Sequence, residues 1–92
     1  MINEQVKKES ISRMKKIEGQ IRGVSKMIEE EKYCVDILNQ LSAVKCALDG
    51  VARRIMKRHV ESCVADAILK GQADEKIEEL MSTVFKYGNH LK

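Results

Sequence analysis

Three side chains in this sequence have the types and spacing to hold a soft metal ion: Cys34, His59 and Cys63. His59 and Cys63 lie four residues apart, so on a helix they project from one face, one turn apart. A lone pair of this kind is more often incidental than a ligand pair. Cys34 lies twenty-five residues before His59. At ~1.5 Å per residue that is about 37 Å of helix, far beyond any coordination bond. If one helix carries all three, they meet only between two chains laid antiparallel, where the start of one helix runs beside the far end of the other. Two thiolates and one imidazole form a soft, low-coordinate set that suits Cu(I), whereas Zn²⁺ wants a fourth ligand. Cys46 falls between Val44 and Leu48 and reads as a small packing residue, with a thiol open to oxidation as the alternative. His90 reads as solvated. No Ser-His-Asp arrangement, paired carboxylates or Gly-rich phosphate loop accompanies the three, so an enzyme is not expected.

The elements that must position these residues are helices. The chain has 92 residues, 34% of them charged and 43% hydrophobic, with 3% aromatic, no Pro and five Gly. Such a composition specifies an all-α fold and argues against a β-sandwich or a nucleotide-binding α/β domain. Residues 1–92 are read as a single domain. A first helix is expected from about Val6 to Glu30, with Met14, Ile17, Ile21, Val24 and Ile28 stepping by three and four. A second repeats the step in Leu41, Val44, Leu48, Val51 and Ile55. It continues through Val60, Val64 and Ile68 to a helix-ending Gly71, giving about 37 residues from near Tyr33. Nothing in Glu30-Glu31-Lys32 forces a turn, and one continuous rod would also satisfy the pattern. A third helix has Asp74 as its N-cap and Ile77, Leu80, Met81, Val84 and Leu91 as its buried stripe. So long a second helix in so short a chain needs another copy to lie against, most simply as an antiparallel bundle.

The odd cysteine count and the polar start, Met1-Ile2-Asn3-Glu4-Gln5, point to a cytoplasmic protein with reduced thiols. No stretch approaches a membrane span, and no membrane partner is expected. Net charge is +3 but unevenly placed. Residues 1–28 carry +4, 29–42 carry −3, 43–60 carry +4 and 61–83 carry −4. If the two basic segments lie side by side they form one positive face suited to a phosphate backbone, although charge runs on helices also serve as plain solvated surface. The cations at issue are Lys8, Arg13, Lys15, Lys16 and Arg22, extended by Arg53, Arg54, Lys57 and Arg58.

Longer motifs then appear in order: Arg13-Met14-Lys15-Lys16-Ile17-Glu18-Gly19-Gln20-Ile21-Arg22-Gly23, then Met27-Ile28-Glu29-Glu30. Tyr33-Cys34-Val35-Asp36-Ile37-Leu38-Asn39-Gln40-Leu41-Ser42-Ala43-Val44 follows, and His59-Val60-Glu61-Ser62-Cys63-Val64 closes the series. From about Lys8 to Tyr87 the chain resembles the CsoR/RcnR family of metal-sensing bacterial repressors, most closely its copper-sensing CsoR type. The resemblance implies an antiparallel helical dimer, two of which pair into a flat homotetramer. It implies operator-DNA binding without a helix-turn-helix, and a Cu(I) site between chains whose thiolate, imidazole and thiolate fall on Cys34, His59 and Cys63. It also implies supporting roles for Tyr33 and Glu79 around the ligands. Family members that sense nickel or cobalt add an N-terminal His, where this chain has Ile2, Asn3 and Glu4. Formaldehyde sensors use an N-terminal Pro, which is missing here, and persulfide sensors lack the equivalent of His59.

The expected function is therefore a Cu(I)-responsive repressor that binds operator DNA when metal-free and leaves it on Cu(I) binding. The alternatives are a thiol sensor using Cys34 and Cys63, or a copper-buffering or interaction protein without DNA binding.

Overall fold

A computed structural model describes residues 2–90, without the side chains of Val64 and residues 88–90. The expectations for Leu91 and for the His90 side chain lie outside the described residues. The order is α1 (Glu4–Glu29), α2 (Cys34–His59), a π-helical turn (Val60–Val64), α3 (Ala65–Leu69) and α4 (Ala73–His90). Among the described residues there is no strand. The all-α class holds, and the expected long second helix is α2, the π turn and α3 joined without a non-helical residue. Two compact units are distinguished, Ile2–Ile55 and the chain from Met56 onward.

In the first unit α1 begins where the Asn3 side chain accepts from the Val6 amide at 2.9 Å, with Glu4 in the first turn and Lys26 in the last. Its end settles the question left by Glu30-Glu31-Lys32. Glu31 takes φ 52°, the Glu31 amide donates to the Ile28 carbonyl at 3.1 Å, and the Lys32 amide donates to the Met27 carbonyl at 3.0 Å. These two bonds are a Schellman motif, which satisfies the last carbonyls of α1 and reverses the chain. The continuous rod is thereby excluded. α2 starts at Cys34, with the Tyr33 carbonyl accepting from Asp36 and Ile37.

α1 and α2 pack through Ile17, Val24, Val44 and Val51, with Ile37, Ala47 and Ile55 against them. Glu9 pairs with Arg54 at 3.4 Å, so the two helices run antiparallel. The expected stripes divide. Ile17 and Val24 are buried while Met14, Ile21 and Ile28 are exposed, and Val44 and Val51 are buried while Leu41 and Leu48 are exposed. Each helix therefore turns alternate members of its heptad pattern inward and leaves the others open.

In the second unit the π turn, α3 and α4 pack on one another around the buried Ala67. α3 closes with a second Schellman motif. Gly71 has φ 74°, its amide donates to the Ile68 carbonyl at 3.2 Å, and the Gln72 amide donates to the Ala67 carbonyl at 2.7 Å. Gly71 thus ends the helix as expected. Two expectations need correction. Asp74 is not the N-cap of α4 but lies in its first turn, one residue after Ala73, where its charge still favours the helix dipole. The α4 stripe is not buried within its unit, since Ile77, Met81 and Val84 are exposed.

Candidate metal centre and nucleic-acid face

The three candidate ligands sit where helix geometry changes. Cys34 is the first residue of α2 and its thiol is exposed. His59 is the last residue of α2, half-buried, and Cys63 lies in the π turn, also half-buried. None of the three cysteines is in a disulfide. A π turn closes i→i+5 bonds and holds more residues than an α turn, so position i+4 falls just short of a full turn instead of just past it. His59 and Cys63 therefore share one face, as the spacing implied, but on a wider winding than the sequence indicated. The Ser62 hydroxyl donates to the Arg58 carbonyl at 3.0 Å and lies 3.7 Å from Cys63 Sγ. It supplies an extra donor at the point where the bonding register changes. No sequence signal marks such a turn, apart from a Ser able to bond back.

Among the described residues, no three Cys, His, Asp or Glu side chains of this single chain gather to hold an ion. The donor set itself fits a soft metal: two reduced thiols and an imidazole, all with some exposure. Tyr33 precedes Cys34 directly and is 69% exposed. Glu79, exposed on α4, receives Lys76 Nζ at 3.4 Å, and its carbonyl accepts from Thr83 Oγ1 at 2.9 Å.

Lys8, Arg13, Lys15, Lys16 and Arg22 are all exposed on α1. Arg13 Nη1 lies over α2 at Gly50, 3.5 Å from where a β-carbon would stand. Arg13 and Lys16, with Ile17, Gln20, Cys46, Ala47 and Gly50, line a depression of about 300 Å³ between the two helices. Two cations of α1 thus lie against the Cys46–Gly50 stretch of α2. Cys46 is exposed in this depression, not packed in the core, because the core line runs through Val44, Ala47 and Val51 instead. Of the cations on α2, Arg53 and Lys57 are exposed, Arg54 pairs with Glu9 at 3.4 Å, and Arg58 approaches Glu61 at 4.0 Å. No described helix is long and apolar enough to cross a membrane.

The fold that carries these residues is found in known proteins. Residues 6–86 match the family described as metal-sensitive transcriptional repressor, and the chain belongs to that family. The family is one of repressors and not of enzymes. The chain is 46% identical over 76 residues to the copper-sensing transcriptional repressor CsoR of Bacillus subtilis (strain 168), covering 83% of this chain and 75% of that protein. It is 43% identical over 74 residues to the copper-sensing transcriptional repressor RicR of Mycobacterium tuberculosis (strain ATCC 25618 / H37Rv), covering 78% and 77%. Among solved structures it resembles the copper-sensing repressor CsoR with Cu(I) from Geobacillus thermodenitrificans NG80-2, with a TM-score of 0.88 and 39% identity, covering 96% of this chain and 92% of that one. The nickel-responsive transcriptional regulator InrS is also similar, with a TM-score of 0.77 and 35% identity, covering 87% and 90%.

Proposed function

We propose that this chain senses Cu(I): metal-free, it binds operator DNA as a repressor, and Cu(I) binding releases it. The observation that carries the reading is the donor set, with two thiols outside any disulfide and one imidazole at Cys34, His59 and Cys63. His59 and Cys63 lie within five residues of each other on and beside the π turn. Cys34 opens the helix that His59 closes, so the third donor comes from a second chain laid antiparallel. Similarity to relatives named for copper sensing supports the choice of metal.

The assembly we infer is a homodimer, paired into a homotetramer. Its support is the open apolar face of α1 and α2, formed by Met14, Ile21, Ile28, Leu41 and Leu48. Tyr33 and Glu79 buttress the ligands from outside, since a ligating imidazole needs a partner for its other nitrogen. Lys8, Arg13, Lys15, Lys16 and Arg22 contact DNA phosphates, joined by Arg53 and Arg54. Cys34, His59 and Cys63 would hold Cu(I), which would supply a soft centre shared between two chains. Linkage requires that DNA weaken Cu(I) binding by the factor by which Cu(I) weakens DNA binding.

The test is an anaerobic Cu(I) titration followed by X-ray absorption, beside a DNA-binding assay on the region upstream of the gene, with Ni(II) as a parallel arm. Cu(I) should bind one ion per chain with sulfur and nitrogen ligands and release the DNA, and Ni(II) should not. Cys34→Ala, His59→Ala and Cys63→Ala should each bind DNA but lose release by Cu(I). Normal release by any of the three refutes the ligand assignment.

A further inference from the structure

Among the cations of residues 2–55, one acid bridges the two helices of the hairpin. Glu9 Oε2 accepts from Arg54 Nε at 3.4 Å, and Glu9 Oε1 accepts from Gln5 Nε2 at 3.2 Å. Glu9 lies one turn before Arg13 on α1, and Arg54 one turn after Gly50 on α2. Arg13 rests over Gly50. The two arginines therefore occupy neighbouring rungs of the hairpin, and Lys16 lines the depression that continues from them.

A carboxylate on a surface meant for phosphates lowers the local potential and, on charge alone, weakens DNA binding. Its return in stability is small. The Glu9 and Arg54 side chains are 41% and 32% exposed, and pairs of that kind contribute roughly 0–1 kcal/mol. The atoms involved point to a different use. A guanidinium has N–H donors on Nε, Nη1 and Nη2, and Glu9 engages only Nε. The Nη1 and Nη2 groups form the fork that grips a phosphate in two parallel bonds. Holding Nε orients that fork before DNA arrives, and less side-chain freedom is then lost on binding.

We propose that Glu9 is a positioning residue for DNA binding, which holds Arg54 by Nε so that its Nη1 and Nη2 groups meet a backbone phosphate. The proposal rests on the DNA-binding reading above and adds to it a role for an acid that charge counting would score as harmful.

The test is fluorescence anisotropy of the metal-free protein on a double-stranded fragment from upstream of its gene, at several salt concentrations. The proteins compared are the wild type, Glu9→Gln, Arg54→Ala, Arg54→Lys and the Glu9→Gln/Arg54→Ala double variant. Glu9→Gln should weaken binding about 3- to 10-fold, although it removes a negative charge from the face. The double variant should bind no more weakly than Arg54→Ala alone. Arg54→Ala should lower the salt slope by about one, because one phosphate is no longer neutralised. Arg54→Lys keeps the charge and loses the fork. It should weaken binding with nearly the wild-type salt slope, and it reads the idea even if Glu9→Gln folds poorly. Tighter or unchanged binding by Glu9→Gln overturns the proposal, as does an equal loss in the wild-type and Arg54→Ala backgrounds, or wild-type affinity in Arg54→Lys. A wild-type protein without salt-dependent binding defeats the DNA reading itself. Wild-type binding that Arg54→Ala leaves intact defeats only the role of Glu9.

Discussion

Glu31 and Gly71 do the same job with different chemistry. Both sit in the left-handed region at the end of a helix, and both anchor the paired backbone bonds that cap it. Gly71 was legible as a helix end because glycine reaches that region without a β-carbon clash. Glu31 was not, since nothing in its side chain advertises a left-handed backbone. The cost of a left-handed L-residue is ~1–2 kcal/mol, offset by the ~0.5–1 kcal/mol of extra freedom a glycine loses on folding. Glu31→Gly should therefore stabilise the protein by about 0.5–1 kcal/mol, and Gly71→Ala should destabilise it by about 1 kcal/mol or more. Urea midpoints at one fixed protein concentration would check both signs. Cys34, His59 and Cys63 stood out because few other side chains here ligate soft metals, while Cys46 was misplaced by its neighbours Val44 and Leu48. Helical phase, not proximity in sequence, decides that Ala47 packs against the core while Cys46 is exposed.

At the scale of elements, the three- and four-residue steps identified the helices well but could not divide the stripe between partners. Ile17 is 3% exposed and Ile21 48% exposed, though both sit on the same apparent seam. A heptad pattern reports that a position is apolar, and only the angle of the facing helix says which half it meets. Ile17→Ala should cost about 2–5 kcal/mol wherever α1 and α2 are folded together. Ile21→Ala should cost little in the hairpin itself and act mainly on association between chains. Thermal unfolding across a range of protein concentrations separates the two, because only the second loss depends on dilution. The π turn escaped the sequence reading for another reason. Its residues, Val60, Glu61, Ser62, Cys63 and Val64, suit an α-helix equally well. The Ser62 hydroxyl bonds the Arg58 carbonyl there, a contact that an α-helix would allow as well.

For the whole molecule, segment charges pointed to a positive face as an expectation, and the hairpin brings Arg13 and Lys16 of α1 against α2. Replacing Lys8, Lys15 and Lys16 together by Ala should weaken DNA binding and flatten its salt dependence, by roughly 0.9 in slope for each phosphate left unneutralised. Salt titration of the variant against the wild type measures this directly. The open apolar face calls for a second prediction. Leu41→Glu or Leu48→Glu should raise the dissociation constant of the assembly at least tenfold, since a carboxylate would have to be desolvated. Sedimentation velocity should then show smaller species that remain helical.

That face has a further consequence. If a second copy covers these leucines, as proposed, the durability of the chain depends on how many siblings surround it. In a cell making few copies, the protein would be frailer as well as scarcer, and thinning the pool would wear it down much as warming does. A gene that keeps its own product rare would, on this footing, be setting that product's lifetime along with its number.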